Sequence, residues 1–277
     1  MLIDAGEFVI TARGGVYAAS TNSSINKQQK ARAYILSSKH VEREKSKINR
    51  PSFKIVNFSK KCLRKLGLFS AVKALISRTK WWGSVRQDYT TKWLTDVANG
   101  EYFYQSFPML NIKGARPTDE RLRLYGLYDI LSKNMNVLDI GCNTGFFDMT
   151  IADRVNSITG IEYDKDFADI AQGTAEILEL DNVTFINADA NEWLKNNLHN
   201  KYGLILSFAV HGWMGITAED YAHVISELME PGGYLLFESH WLSDGEEFSA
   251  EFLKHNMERL RGGPSGDHRI WALFQKI

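Results

Sequence analysis

Residues 137–147, VLDIGCNTGFF, are the most informative stretch in this chain of 277 residues. It begins with a short apolar, β-rich run that includes Asp139 and ends at Gly141. Glycines at 141 and 145 leave the backbone bare, so that a ligand can approach the loop and the start of the next helix. The GxxxG spacing differs from the GxGxxG of dinucleotide sites and from the GxxxxGK(S/T) of nucleoside triphosphatases, and it disfavours both classes.

Around this stretch, short apolar runs alternate with helical patterns. The runs predict five strands, at residues 137–140, 158–161, 183–186, 202–209 and 233–238. Strands that alternate with helices imply right-handed crossovers and an α/β fold with a doubly wound, mostly parallel sheet, whose ligands bind at the carboxyl ends of the strands. In the tail, residues 246–259 are predicted as a helix, and a Gly-rich turn at 262–266 precedes a final antiparallel strand at 269–276.

Three acidic side chains follow three successive predicted strands. Asp139 lies at the end of the first strand, Glu162 at the end of the second and Asp189 just after the third. A carboxylate at the position of Glu162 can accept hydrogen bonds from both hydroxyls of a ribose, and Asp189 can accept one from an adenine amine. Each acid alone could instead cap a helix or face solvent. Together with the glycine loop, they predict an adenosine pocket.

These motifs resemble those of the class I S-adenosylmethionine-dependent methyltransferases. VLDIGCNTGFF is similar to their first motif, GIEYD to the second and FINADA to the third, and LILSFAVHGW and MEPGGYLLFES are similar to their later strands. The similarity spans roughly residues 101–277. It implies a seven-stranded sheet whose last strand is antiparallel, with S-adenosylmethionine as the cofactor, and it leaves the methyl acceptor open.

The resemblance also implies which residues contact the cofactor. Gly141 and Gly145 would lie beside its methionine part, Glu162 on the ribose and Asp189 near adenine, while Phe208 would line the floor that faces the sulfonium. The predicted cofactor-binding residues are Arg116, Asp139, Gly141, Cys142, Asn143, Gly145, Phe146, Glu162, Asp189, Ala190 and Phe208.

An upstream element, Gly-x-Arg-Pro at residues 114–117, resembles one that covers the cofactor in related bacterial methyltransferases. Its Arg116 is the candidate for a bidentate clamp on the carboxylate of the cofactor. The alternative is that Arg116 pairs with Asp119 or Glu120 on the surface of the following helix.

Two histidines are candidates for the catalytic base. His211 follows the fourth predicted strand and His240 the fifth, so both fall on the carboxyl-end rim. A neutral histidine there can accept the proton of an attacking hydroxyl, although each could also be a loop histidine bonded to backbone. Glu238 is a weaker candidate, and Trp213 and Trp241 would form aromatic walls. Because a sulfonium is already electrophilic, the chemistry requires no metal.

The net charge of zero conceals an uneven distribution. Residues 1–80 hold 17 Lys and Arg but 4 Asp and Glu, a net charge of +13, so the remaining residues carry −13. Such asymmetry indicates a basic arm that meets a polyanion, which could be nucleic acid, an anionic membrane surface or an acidic glycan. The alternative is that the arm docks on its own acidic domain. We divide the chain into a basic extension, residues 1–100, and a catalytic domain, residues 101–277.

Residues 58–80 show the pattern of a basic amphipathic helix, which can lie in a membrane interface or pack on the catalytic domain. No run of about 18 apolar residues predicts a membrane span, and the N-terminus lacks a secretory signal pattern. Two cysteines without a CxxC motif indicate a reducing compartment. We therefore expect a cytoplasmic protein, peripheral to the inner face of a membrane if the helix binds there.

Three hypotheses for the function remain open. The rim histidines, the aromatic walls and the amphipathic helix favour O-methylation of a sugar hydroxyl or phosphate in a saccharide, a lipid-linked glycan or a small molecule. The basic arm fits an RNA methyltransferase. A regulatory protein that binds the cofactor without transferring the methyl group is the third. The absence of a (D/N/S)PP(Y/F/W) motif after the fourth strand lowers the case for a nucleobase amine.

Overall fold

A computed structural model of the chain describes residues 8–10, 16–18, 80–98, 102–266 and 268–277. The amphipathic helix predicted at residues 58–80 lies outside these ranges except for its last residue, as does most of the basic first third. None of the helices in the described ranges is long and apolar enough to cross a membrane.

In the described ranges, the elements that precede the central sheet include two small two-stranded sheets and two α-helices. Strand β1 (Phe8–Ile10) pairs antiparallel with β2 (Val16–Ala18), and β3 (Phe103–Gln105) pairs parallel with β4 (Gly114–Arg116). Helix α1 spans Lys80–Ala98 and helix α2 spans Thr118–Leu124.

Seven strands form the central sheet. They are β5 (Asn136–Ile140), β6 (Ser157–Glu162), β7 (Val183–Asn187), β8 (Tyr202–Phe208), β9 (Met229–Glu238), β10 (Met257–Pro264) and β11 (Ile270–Lys276). The helices are α3 (Phe146–Ile151), α4 (Lys165–Leu178), α5 (Ala190–Asn196), α6 (His211–Met214), α7 (Ala218–Leu228) and α8 (Leu242–Lys254). The spatial order is β10-β11-β9-β8-β5-β6-β7. β11 runs antiparallel to both neighbours, and the other paired strands are parallel, which confirms the predicted sheet.

The strand order fixes where a ligand can bind. From β5 the chain builds outward through β6 to β7, and it then returns to the other side of β5 to form β8 and β9. The connections therefore diverge at β5, and in open α/β sheets a crevice forms beyond the carboxyl end of such a strand. The first six residues of β8 are all buried, as expected for a central strand covered on both faces.

The two faces of the sheet carry separate apolar layers. Val137 and Leu236 belong to the layer beneath α1, α3 and α4, which we call the first face. Leu138 and Phe237 belong to the layer beneath α5, α7 and α8, the second face. Helix α1 precedes the boundary predicted at residue 100, yet its residues Trp93, Leu94 and Val97 are part of the first-face core.

The helix predicted at residues 246–259 is wrong at its carboxyl end. Helix α8 ends at Lys254, Asn256 takes a left-handed φ of 59°, and β10 begins at Met257. The chain there pairs with β11 along the whole strand, and Met257 is buried, so tertiary pairing overrides the local helical pattern. The residues predicted as a Gly-rich turn are therefore largely part of β10.

Gly145 offers a test of the packing beneath the glycine loop. It has a φ of +67°, and a Cβ there would overlap the ring of Phe185 and lie 3.1 Å from the Cβ of Ala171. Gly215 has a similar φ of +62° but open space around it, which makes it a matched control. We expect Gly215→Ala to destabilise the protein by about 1 kcal/mol, and Gly145→Ala by roughly 1–3 kcal/mol more because of the clash. Urea denaturation measures both, and equal losses would contradict the packing argument.

Candidate functional site

The loop after β5 approaches its neighbours without side chains in the way. Gly141 has a φ of +77°, and a Cβ there would lie 2.8 Å from Cγ2 of Val210. The backbone N–H groups of Gly141 and Cys142 both donate to the carbonyl of Ile161, at 2.8 and 3.0 Å, which ties the loop to β6. Asn143 then takes a left-handed φ of 56°. The loop thus presents backbone without a side chain at the carboxyl end of β5, where the connections of the sheet diverge.

Glu162 is fixed at the end of β6 by that loop. Its Oε2 accepts the backbone N–H of Asn143 at 2.8 Å, and its Oε1 accepts that of Asp164 at 2.9 Å. Burial raises the pKa of Glu162 to about 6, although the two hydrogen bonds favour the ionised form. The carboxylate therefore has one oriented position, beside the glycine loop, from which it can also accept hydrogen bonds from a ligand.

Asp139 faces a second buried carboxyl group, that of Asp148 on α3. Among the residues that the structure describes, none donates a hydrogen bond to either carboxyl group, and the two groups interact with each other. Burial raises the pKa of Asp139 to about 7 and holds the pKa of Asp148 well above its ordinary range. The pair is therefore a site for a proton or for a cationic group.

Sequence reasoning missed Asp148. The sequence contained a signal, since Asp148 is an acid between the apolar residues Phe147 and Met149. An isolated acid inside an apolar stretch has to be protonated or paired, and the partner was already in the predicted site.

Asp189 and Ala190 lie at the neighbouring strand end. Asp189 caps helix α5, because its Oδ1 accepts the backbone N–H of Glu192 at 3.2 Å. The side chain of Asn187 donates to the carbonyls of Glu162 and Tyr163, at 3.0 and 2.8 Å, and so holds the ends of β6 and β7 together. The capping alternative for Asp189 is thus present, and its contact with adenine stays a prediction.

Three further residues of the predicted cofactor set differ in accessibility. Phe146 is fully buried and stacks on Phe107 at 4.8 Å, so its side chain belongs to the core. The thiol of Cys142 is also buried, which raises its pKa. Phe208 is half-buried at the end of β8 and contacts the ring of Phe147 at 4.8 Å. Of these three side chains, that of Phe208 is the one that can face a ligand.

Arg116 takes part in a network that we call the Glu238 cluster. The cluster consists of Glu238, Arg116, Arg121, Arg269, Tyr125 and Ser265. Arg116 donates to Glu238 Oε1, and Arg121 Nη2 donates to Glu238 Oε2 at 2.9 Å. The hydroxyl of Tyr125 donates to the same oxygen at 2.7 Å, and Arg269 Nη1 lies 3.4 Å from Oε1. One buried carboxylate thus binds three guanidinium groups.

The cluster changes the roles of two predicted residues. Burial alone would raise the pKa of Glu238, but the guanidiniums of Arg121 and Arg116 outweigh it and hold the pKa below its ordinary value. Glu238 is therefore a poor proton acceptor. The proposed surface pair of Arg116 with Asp119 or Glu120 is not formed, since Asp119 pairs with Arg123 at 3.2 Å. The carboxylate clamp by Arg116 stays a prediction.

The two predicted histidines have different surroundings. The ring of His211 is buried between Phe237 and Phe248, at centroid distances of 5.0 and 4.3 Å. Successive residues of a strand point to opposite faces, so this contact places His211 on the second face, away from Glu238. Burial lowers the pKa of His211 to about 4, although Asp244 lies 3.6 Å from its Nε2. His211 is thus neutral at physiological pH.

His240 lies instead within a row of aromatic rings on the rim. The row, which we call the aromatic strip, runs through Trp213, His240, Trp241 and His268, with successive centroids 5.7, 5.1 and 6.2 Å apart. Trp213 and Trp241 are 42% and 54% exposed, although large aromatic side chains are usually well covered. The strip continues the carboxyl ends of β8 and β9 and can stack on a flat acceptor.

The clusters described above do not form a metal centre. The residues that the structure describes contain no group of three or more His, Cys, Asp or Glu side chains arranged to hold a metal ion.

The pH dependence of stability tests the Asp139–Asp148 pair. The folded protein holds a proton that the unfolded chain releases near pH 4, so unfolding free energy should fall as the pH rises from about 4 to about 7. We expect Asp148→Asn to reduce this fall, because one of the two buried carboxyl groups is gone while Asp139 stays buried, and to stabilise the cofactor-free protein at pH 8 by about 1 kcal/mol. Urea denaturation at pH 5 and pH 8 measures the effect, with Asp181→Asn at an exposed position as the control. A wild-type protein as stable at pH 8 as at pH 5 would refute the pairing.

Comparison with known proteins agrees with this geometry. The chain matches the methyltransferase domain family over residues 131–271, just over half of its length. It is 31% identical over 122 residues to a probable cobalt-precorrin-6B C(15)-methyltransferase (decarboxylating) of Methanobrevibacter smithii, covering 43% of this chain and 62% of the relative. It is 36% identical over 76 residues to a 23S rRNA (uracil(1939)-C(5))-methyltransferase of Psychromonas ingrahamii, covering 25% and 17%.

Both curated relatives are covered by less than two thirds of their own length. Among solved structures, a SAM-dependent methyltransferase from Aquifex aeolicus superposes with a TM-score of 0.46 at 16% identity, covering 57% of this chain and 93% of that one. The cofactor of this family carries a sulfonium and an ammonium group, and the buried carboxyl pair beside the glycine loop fits such a cation. The chain belongs to the class I S-adenosylmethionine-dependent methyltransferases.

Proposed function

We propose that this enzyme transfers the methyl group of S-adenosylmethionine to RNA. The observation that carries the choice of acceptor is the aromatic strip, whose two tryptophans are exposed on the carboxyl-end rim. Exposed aromatic rings bind unpaired bases by stacking, and each stacked base contributes roughly 1–3 kcal/mol. Trp213 and Trp241 flank His240, so a stacked nucleotide would lie next to a proton acceptor.

The charge distribution supports the same acceptor. Residues 1–80 carry a net charge of +13, and Lys and Arg side chains bind the phosphate backbone in a salt-dependent way. The remaining residues carry −13 and repel a long polyanion. We infer that the basic arm binds the RNA backbone while the acidic domain receives one nucleotide. A saccharide acceptor, which the sequence favoured, has no counterpart in the activities of the two relatives described above.

On the cofactor side, we assign each role to a residue at the carboxyl edge. Glu162 would bind the ribose, and Asp189 would accept from the adenine amine. Asp139, with Asp148 behind it, would compensate the positive charge of the methionine end, while Phe208 would face the sulfonium. Bound S-adenosylmethionine supplies an electrophilic methyl group, so these residues need only hold and orient the donor.

On the acceptor side, the protein has to align the nucleophile, exclude water and remove a proton. His240 is our candidate for the base, because it belongs to the aromatic strip and is half-buried on the rim. His211 is neutral at physiological pH, but its ring is enclosed by second-face phenylalanines. We therefore assign His211 the second place among the predicted catalytic residues.

The proposed acceptor can be tested by methyl transfer with the full-length chain. We expect transfer of labelled methyl groups to total RNA, with an affinity that falls steeply between 50 and 200 mM salt. Trp241→Ala should raise the KM for RNA roughly 5- to 100-fold by removing a stacking surface. Leu253→Ala, at an equally exposed position on α8, is the matched control. Transfer to a lipid-linked glycan with none to RNA would overturn the proposal.

The ribose contact can be tested separately. Glu162→Gln removes the charged acceptor, so we expect the dissociation constant for S-adenosylhomocysteine to rise by a factor of about 5 to 150, equivalent to about 1–3 kcal/mol. Isothermal titration calorimetry measures this change. Glu176→Gln, on the exposed side of α4, is the control. An unchanged affinity in Glu162→Gln would remove Glu162 from the cofactor site.

A further inference from the structure

The Glu238 cluster holds more positive charge than its own carboxylate can balance. Arg116, Arg121 and Arg269 all contact Glu238, so the charged members of the cluster, as far as the structure describes them, sum to two positive charges. A purely structural ion pair needs one guanidinium per carboxylate. Three of them around one acid, at a strand end on the rim, is the arrangement of a site that receives another anion.

Two buried donors in the same place lack an acceptor. Arg121 is 5% exposed, and its Nη1 has no hydrogen-bond partner in the described ranges. The same holds for Nε1 of Trp271, which is 6% exposed and whose ring lies 5.2 Å from that of Tyr125. A buried donor without an acceptor destabilises the folded protein. The cluster is therefore rich in donors and poor in acceptors, as an oxyanion requires.

The cluster is also accessible and lies next to the proposed reaction site. The side chains of Arg116 and Arg269 are 23% and 21% exposed, so two of the three arginines are partly open to solvent. The guanidinium carbon of Arg121 lies 4.5 Å from the ring centroid of Phe208, the predicted floor of the cofactor site. Arg269 directly follows His268, the last ring of the aromatic strip.

We propose that Arg116, Arg121 and Arg269 form a phosphate-binding subsite of the acceptor, which holds the phosphate beside the nucleotide stacked on the aromatic strip. Glu238 acts as the positioning residue, because its two oxygens fix the three guanidiniums in one orientation. That the phosphate belongs to RNA rests on the function proposed above, whereas the affinity for an oxyanion follows from the cluster alone.

Inorganic phosphate is the direct probe. With full-length protein saturated with S-adenosylhomocysteine and at constant ionic strength, we expect phosphate to raise the melting temperature of the wild type and of Arg123→Gln, an exposed arginine on α2. In Arg269→Gln and in Arg116→Gln, the phosphate concentration needed for the same rise in melting temperature should be at least ten times higher. In Arg269→Lys it should lie between those of Arg269→Gln and the wild type. An equal response in all variants would overturn the subsite.

Kinetics then separate the subsite from its alternatives. Arg269→Gln should raise the KM for RNA at least tenfold, leave kcat within about twofold and leave the dissociation constant of S-adenosylhomocysteine unchanged. S-adenosylhomocysteine has the same carboxylate as S-adenosylmethionine, so it reports on both. If Arg269→Gln weakens its binding at least tenfold, the cluster belongs to the cofactor site and the subsite is overturned.

The two proposals fail in distinguishable ways. If phosphate binding depends on Arg269 but RNA is not methylated, the oxyanion site stands and the RNA acceptor fails. If RNA is methylated with the same KM in Arg269→Gln as in the wild type, the acceptor stands and the subsite fails.

Discussion

The carboxyl edge of this sheet is governed by the cost of withdrawing carboxyl groups from water. A buried charge is costly unless hydrogen bonds, an opposite charge or protonation compensate it. The protein uses all three means. Backbone N–H groups hold Glu162, guanidiniums hold Glu238, and burial keeps a proton on the Asp139–Asp148 pair. The three sites therefore differ in their electrostatic surroundings.

These compensations give the edge two regions of opposite electrostatic character. The carboxyl pair receives no hydrogen bond from the described part of the chain, so a bound cation would stabilise its negative charge. The Glu238 cluster has donors without acceptors, so a bound anion would stabilise its positive charge. Arg121 links the two, because its charge favours ionisation of Asp139 while its guanidinium binds Glu238. A cationic methyl donor and an anionic acceptor would therefore meet near Phe208, which lies under Arg121.

The sequence predicts those parts that depend on local pattern. The glycine loop, the acids at three strand ends and the strand–helix alternation are all readable because neighbouring residues encode them. Strand β10 was mistaken for helix and turn, since its pairing with β11 is long-range. The Glu238 cluster was unreadable for the same reason, because Arg116 and Glu238 are separated by 122 residues. Asp148 was readable in principle, as an acid within an apolar helical stretch.

The turns after β5 and β8 depend on each other. Ala209 takes a left-handed φ of 55°, which strains a residue with a Cβ, and its N–H donates to the carbonyl of Glu238 at 2.8 Å. The turn brings Val210 into the space that a side chain at residue 141 would occupy. The absence of a side chain at Gly141 therefore makes room for Val210. The hydrogen bond from Ala209 to the backbone of Glu238 thus holds the turn that packs against Gly141. The side chain of the same Glu238 binds the three arginines of the Glu238 cluster.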